Sequence, residues 1–329
     1  LQPLDHWSAA SWDAATAGLP APLAVVDLEA FDANAADLVR RAAGRPIRLA
    51  SKSLRCRALI ERALARPGFA GVMAYAVPEV LWLVAQGVSD DVFVAYPCVD
   101  RAQLARLRTE ARAAAAITVT IDSTEHVDLL AGIPGEHPIQ VAVDVDASLR
   151  VGPCGRQAHL GVRRSPLREP AEVVAVVRAA QRAGLVVRGL MFYDAQIAGL
   201  PDRPHLRTVK ALSDRDLRER RRAVVDAVRP HADLAFVNGG GTGSLETTGA
   251  DDALTELAAG SGLYGPGLFD GYRSFRPRPA AAYAIEVVRR PAPDIVTCFS
   301  GGYHASGPGD AARLPSVLTP GLHLLGTEG

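Results

Sequence analysis

Lys52 follows the short apolar run Ile47-Arg48-Leu49-Ala50-Ser51 and is one of only two lysines among 36 basic residues; Lys210 is the other, and the remaining 34 are arginines. In a chain that carries its surface charge on arginine, a retained lysine points to a need for an amine. A guanidinium stays protonated and delocalised, so it cannot form a Schiff base. Two further runs have the composition of anion-binding loops: Asn238-Gly239-Gly240-Gly241-Thr242-Gly243-Ser244 and Gly260-Ser261-Gly262. Glycines there let backbone N–H groups approach an anion, and Thr242 and Ser261 add hydroxyl donors. An amine and two phosphate-grade loops together describe a phosphorylated cofactor held covalently by a lysine, and pyridoxal phosphate is the economical candidate. Taken singly, each feature has a plainer reading: Lys52 as a solvated surface residue, the glycine runs as turns, Tyr193 as a core aromatic. Their joint placement on one rim is what favours the cofactor.

That placement depends on the elements. Strand-like runs fall at 47–51, 71–75, 91–95, 117–121, 139–145, 186–193, 234–238 and about 256–260, with helical patterns at 56–66, 78–87, 100–115, 124–131, 169–183 and 213–229. Eight apolar strands alternating with helices suggest parallel pairing and predict an α/β fold, a closed (β/α)8 barrel. In such a barrel the active site lies at the C-terminal ends of the strands, and a phosphate site commonly follows strands seven and eight. Lys52 then follows the first strand, Tyr193 ends the sixth, and the two glycine runs follow the seventh and eighth. The expected barrel domain is 22–275, with a strand at 23–27 and a helix at 28–43 leading into it. After about 275 the texture becomes all-β, with strands expected at 281–288, 294–299 and 315–325. We read 276–329, with 1–21 packing on it, as a second, β-rich module. Apolar strands that stop at Gly329 would leave unpaired edges, which predicts that the native chain runs further.

Composition excludes other classes. Basic and acidic residues balance at 36 each, so no global field would draw the chain to nucleic acid or to a membrane. No run of about 18 uninterrupted apolar residues is present to span a bilayer. The first residues lack the basic and apolar regions of a secretion signal, and the expected location is cytoplasmic. Cys56, Cys98, Cys154 and Cys298 lie far apart with no CxxC spacing, as isolated thiols do in a reducing compartment.

Six motifs carry a resemblance: PLAVVDLEAFDAN (22–34), RLASKSLRCRAL (48–59), HLGVRRSP (159–166), GLMFYDAQIAG (189–199), FVNGGGTGS (236–244) and ELAAGSGLYGPGLFD (256–270). Together they resemble the fold-type III pyridoxal-phosphate enzymes, whose barrel is that of the alanine racemase N-terminal domain. Within these the chain is most similar to the D-threonine aldolase/D-serine dehydratase group and its bacterial amino acid deaminase/aldolase branch. The resemblance implies that Lys52 carries the cofactor as an aldimine and that Tyr193 lies against cofactor and substrate. It implies that Thr242, beside Gly240 and Gly241, binds phosphate, and that Gly260, Ser261 and Gly262 form the second phosphate loop. Tyr264, in the same stretch, joins the cofactor-binding candidates, and Asp270 falls close by. Where the family has an arginine before a Cys-Gly or Leu-Gly pair, this chain has His159-Leu160-Gly161. His159 therefore joins the catalytic candidates, and either Arg150 or Arg163 is left to contact the cofactor ring. The family's metal ligands fall past Gly329, so a divalent metal is expected only if the native chain extends further; His304 reads as a strand-edge histidine. The implied activity is that of a lyase on D-β-hydroxy amino acids, of aldolase or dehydratase type, in a homodimer. An amino-acid racemase and a non-catalytic cofactor carrier are the alternatives.

Overall fold

The computed structural model describes residues 9–152, 158–299 and 315–325. Eight parallel strands close into a barrel. We number them β1 (Ile47–Ala50), β2 (Phe69–Ala74), β3 (Val92–Val94), β4 (Ile117–Ile121), β5 (Gln140–Asp144), β6 (Val186–Phe192), β7 (Phe236–Gly239) and β8 (Glu256–Ala259). Sequential neighbours pair throughout, and β8 closes on β1 through Leu257↔Ile47, Ala258↔Arg48 and Ala259↔Leu49. These are the eight runs read from the sequence. Each is short, apolar and mostly buried, as parallel strands covered on both faces must be.

Side chains alternate between the barrel interior and the helical layer. Phe93, Ala95, Ala142, Met191 and Phe236 pack together inside, with Met73 against them. Two residues further on, Asp144 and Tyr193 share that inward face at the C-terminal ends of β5 and β6. The register Thr120↔Ala142 puts Asp122, just past β4, on the same face.

Two helices differ from the expected pattern. The helix expected over 100–115 breaks into Arg101–Thr109 and Ala111–Ala116, with Glu110 extended at φ −102°, ψ 104°. The Arg108 carbonyl, which would continue the helix, instead accepts from the amides of Glu136 (2.9 Å) and His137 (3.1 Å). The helix expected at 213–229 begins earlier and runs Pro204–Val228, because Pro204 occupies its first turn, where a missing N–H costs nothing.

By its internal contacts the chain divides into a barrel unit, 35–262, and a second unit of 1–34 with 263–329. In the second unit Leu23–Val26 pairs antiparallel with Ala281–Ala284, and Glu286–Ala292 forms a hairpin with Ile295–Phe299. The apolar stretch expected as one strand over 281–288 thus serves two different sheets and breaks at Ile285. Residues 315–325 are not a strand. They are exposed throughout and bend at Pro320-Gly321, where Leu322 N donates to Thr319 O at 3.3 Å; Pro315 and Pro320 have no N–H for a ladder. Among the described residues no helix is long and apolar enough to cross a membrane, and Cys56, Cys98 and Cys298 are free thiols.

Candidate functional site

Barrel order decides which residues can act together. The sequence β7-β8-β1 is continuous, and neighbouring strands lie about 4.8 Å apart. The two glycine runs and Lys52 therefore stand on three consecutive strand ends.

Lys52 sits in a 3-10 turn, Ser51–Ser53, that opens directly from β1. Ser51 is fully buried and donates its hydroxyl to Glu79 Oε1 at 2.5 Å, and Glu79 Oε2 accepts from Tyr75 N at 3.4 Å. Glu79, on the helix Val77–Ala85, thereby fixes the turn that carries the lysine. Among the described residues the Lys52 ammonium has no hydrogen-bond or ion-pair partner. Lys210 is different: its Nζ is held by Asp202 at 2.7 Å and by the Leu200 carbonyl at 3.1 Å.

The glycine loops interlock. Thr242 Oγ1 accepts from Gly262 N at 3.1 Å and from Ser261 Oγ at 3.3 Å, which leaves its own proton to donate outward. The turns Thr242–Ser244 and Ser261–Leu263 present their first N–H groups without partners inside the turn. Close approach requires glycine here. A Cβ on Gly260 would lie 2.5 Å from Ala50 O, and one on Gly262 would lie 2.6 Å from the Thr242 methyl. Behind the first loop, Arg41 donates to Thr242 O at 2.7 Å and pairs with Glu246 at 2.6 Å. Asp194, fully buried beside Tyr193, accepts from Thr248 Oγ1 (2.5 Å) and Ser244 Oγ (3.4 Å). Burial pushes the Asp194 carboxyl up, against the pull of Arg221 and those hydroxyls. It ties the end of β6 to the loop after β7.

The opposite side of the mouth carries charge that the sequence reading did not single out. Arg164 lies 4.7 Å over the Tyr96 ring and 5.5 Å over the Tyr193 ring, a cation stacked on two aromatic faces. It pairs with Asp144 at 3.3 Å and donates to the Ala95 carbonyl. Burial raises the Asp144 carboxyl to about 7, with Arg164 opposing and Asp122 and Asp146 adding to the rise. Tyr193 is likewise raised by burial, then by Asp194. An acid whose folded pKa exceeds its unfolded value of 3.8 takes up a proton on folding at pH values between the two. Its contribution is most favourable below about pH 4 and declines as pH rises through 7. Asp144→Asn should remove that decline, worth a few kcal/mol at most, in urea unfolding measured from pH 4 to pH 8. An unchanged slope would mean that Asp144 does not titrate there.

The other candidates lie elsewhere. His159 and Arg150 face each other across a small hairpin, Leu149–Val151 with Ala158–Leu160. His159 bonds to Ser148 Oγ at 3.5 Å and to Val162 O at 3.3 Å, while Arg150 is held by Asp146 at 2.7 Å. Arg163 is exposed; its neighbour Arg164 is the arginine that stacks on Tyr193. Tyr264 and Asp270 belong to the second unit, where Tyr264 meets Phe31 edge-on with centroids 6.3 Å apart. His304 lies outside the described residues. Among the described residues, no group of three or more His, Cys, Asp or Glu side chains is placed to hold a metal ion.

The family model described as "Alanine racemase, N-terminal domain" matches residues 26–267. The chain belongs to that family. The match takes in the whole alanine racemase-type barrel together with Lys52, Tyr193 and both glycine loops. Among curated relatives, a D-threonine aldolase of Arthrobacter sp is 28% identical over 299 residues, covering 85% of this chain and 71% of the relative. The crystal structure of D-threonine aldolase from Filomicrobium marinum superposes with a TM-score of 0.66 at 23% identity, over 83% of this chain and 71% of that one. D-threo-3-hydroxyaspartate dehydratase from Delftia sp. HT23 gives 0.64 at 20% identity, over 82% and 68%. At these identities the two structural likenesses establish the shared fold.

Proposed function

We propose that the protein is a pyridoxal-phosphate-dependent lyase acting on D-β-hydroxy amino acids, of the D-threonine aldolase or D-serine dehydratase type. The single observation that carries the reading is the placement of Lys52 and both glycine loops on the consecutive strand ends β1, β8 and β7. A phosphate in the loops then lies within reach of a lysine side chain. The curated D-threonine aldolase relative supports the reaction class.

The residues present fit the cofactor. Thr242 has one hydroxyl proton left to donate, the turns offer unpaired N–H groups, and the glycines leave room that a Cβ would fill. Bound pyridoxal phosphate would supply an electron sink for a bond at the substrate Cα. In this chain Lys52 Nζ would hold the cofactor and would move a proton at Cα. Tyr193 would lie against the cofactor, and Arg164, stacked on the Tyr193 ring, would present a cation towards it rather than Arg150 or Arg163. Asp144 keeps that guanidinium in place.

The reading is tested by adding pyridoxal phosphate to the purified protein and screening D- and L-β-hydroxy amino acids, with and without divalent metal. Release of an aldehyde with glycine, or of a keto acid with ammonia, is expected from the D-series. Racemisation without cleavage would overturn the lyase. The cradle has its own test. Thr242→Val removes one donor to a dianion and Ser261→Ala removes the hydroxyl whose donation to Thr242 Oγ1 leaves that donor free; a hydrogen bond to a charged group contributes about 1.5–3 kcal/mol. Cofactor affinity should fall roughly tenfold to a hundredfold per change, measured by fluorescence titration with circular dichroism unchanged. Undiminished affinity in both variants would reduce the loops to turns.

We also propose a homodimer. Val287, Val288 and Phe299 on the hairpin of the second unit are 55%, 49% and 65% exposed, an apolar concentration that a partner surface would cover. Sedimentation at micromolar concentration should show a dimer, and a monomer would refute it.

A further inference from the structure

A histidine–carboxylate pair stands on the inward rim, three strand ends round the barrel from Lys52. Asp122 follows β4 on the inward face, and His126 lies on the first turn of the helix Thr124–Ala131. Ser123 caps that helix and accepts from His126 N at 3.3 Å, which sets the ring back over Asp122. His126 Nδ1 lies 2.9 Å from Asp122 Oδ1 and 3.4 Å from the Asp122 backbone nitrogen, whose N–H points at it, and the two side chains are 24% and 13% exposed. Asp122 belongs to the mouth cluster: Arg164 acts on its charge, and it acts in turn on Asp144. The pair is therefore continuous with the group that meets Tyr193.

Of the two groups at Nδ1 the carboxylate is the nearer, and a carboxylate that accepts from Nδ1–H selects the ring tautomer whose Nε2 lone pair is free. Among the described residues Nε2 has no hydrogen-bond partner. An oriented imidazole with a free nitrogen at the mouth has the form of a general base awaiting its proton. In the closed ring β4 stands opposite β8, and the interior of an eight-stranded barrel is only as wide as the side chains that fill it, so a ligand seated from β7, β8 and β1 would extend towards the rim at β4.

We infer that His126, oriented by Asp122, is the base that takes the proton from the β-hydroxyl of the substrate. This rests on the lyase reading above. In the aldolase direction the hydroxyl proton passes to His126 Nε2, and the O–H electron pair becomes the second bond of the aldehyde carbonyl. The Cα–Cβ bond breaks with its pair left at Cα, which bound pyridoxal phosphate would stabilise. A proton then returns to Cα to give glycine, so no oxidant or reductant is consumed. Lys52 serves Cα and His126 serves Cβ, which assigns the two proton transfers to two sides of the mouth.

The test separates the two carbons. In deuterated water the holoprotein should exchange the Cα proton of glycine, a step that involves no hydroxyl. His126→Asn should keep the cofactor absorbance and exchange glycine within a factor of a few of wild type. Its kcat for cleavage of β-hydroxy amino acids should fall about 10²–10⁴-fold, with KM little changed. Nitrogen-15 spectra of the cofactor-free protein give an independent readout. The resonance lost in His126→Asn should belong to a neutral ring protonated at Nδ1, and Asp122→Asn should abolish that preference. Unchanged cleavage in His126→Asn, equal losses of exchange and cleavage, or a ring protonated at Nε2 would each overturn the inference. A wild-type protein with neither cofactor absorbance nor glycine exchange would instead overturn the lyase reading beneath it.

Discussion

Lys52→Ala protein mixed with pyridoxal phosphate should stay without absorbance at ~410–430 nm, where the wild type should absorb through its lysine-bound cofactor. Borohydride should fix the wild-type adduct, and peptide mapping should find it on the fragment that carries Lys52. Only two lysines compete for the aldehyde, which makes the outcome close to binary. Nucleophilic attack needs a neutral amine. Lys210 is committed to Asp202 at 2.7 Å and to a carbonyl at 3.1 Å, and its amine would have to leave both to attack. Lys52 has no such partner among the described residues, and the buried Ser51–Glu79 bond keeps its turn in place. Glu79→Gln should therefore lower the yield of adduct without moving it to another residue. An adduct on Lys210, or full absorbance in Lys52→Ala, would sink the assignment.

The barrel, and the placement of Lys52 and both glycine loops on its rim, were legible because both are written locally. Each strand is a short apolar run between helical patterns, and Lys52, Gly240–Thr242 and Gly260–Gly262 follow their strands directly in sequence. The other half of the mouth is long-range. Arg164 is remote in sequence from Asp144, Tyr96 and Tyr193, and nothing in VRRSP distinguishes it from Arg163. Stacking on two rings from different strands does so. Asp122 and Asp144 did leave a signal, since each is the first charged residue at the end of an otherwise uncharged strand run, ITVTID and QVAVD. An acidic side chain that closes such a run on the inward face is held at the mouth. The break at Glu110 was not legible, because it arises from a distant loop whose amides at Glu136 and His137 take the Arg108 carbonyl. The bend at 320–321 overturns the strand expected over 315–325, although Pro-Gly is a turn signal that could have found it.

The largest change in stability is expected beneath the site. Arg48 points into the barrel and pairs with Glu256 at 2.6 and 2.9 Å and with Asp91 at 2.8 and 3.0 Å, while its guanidinium lies 4.9 Å over Phe236. Asn238 donates to Glu256 Oε1 at 2.8 Å. Burial works against the Arg48 charge, but the Glu256 and Asp91 carboxylates outweigh it and raise its pKa further. Arg48, Glu256 and Asn238 sit on β1, β8 and β7, the three strands whose upper ends carry Lys52 and the glycine loops. Arg48→Met would leave the Glu256 carboxylate in the interior with only an amide for company. Removing one partner of a buried pair costs about 3–5 kcal/mol. Glu256→Leu should cost less, because Asp91, 60% exposed, still neutralises Arg48. The double variant Arg48→Met/Glu256→Leu removes both charges and should recover much of the loss, since apolar replacement of a whole buried pair is often neutral. Urea unfolding of the three variants forms a double-mutant cycle. A coupling near zero would mean that the three strands are aligned by backbone pairing alone. A large coupling, with cofactor affinity falling in step with stability in Arg48→Met, would mean that the buried ion pair sets the spacing between the lysine and its phosphate cradle.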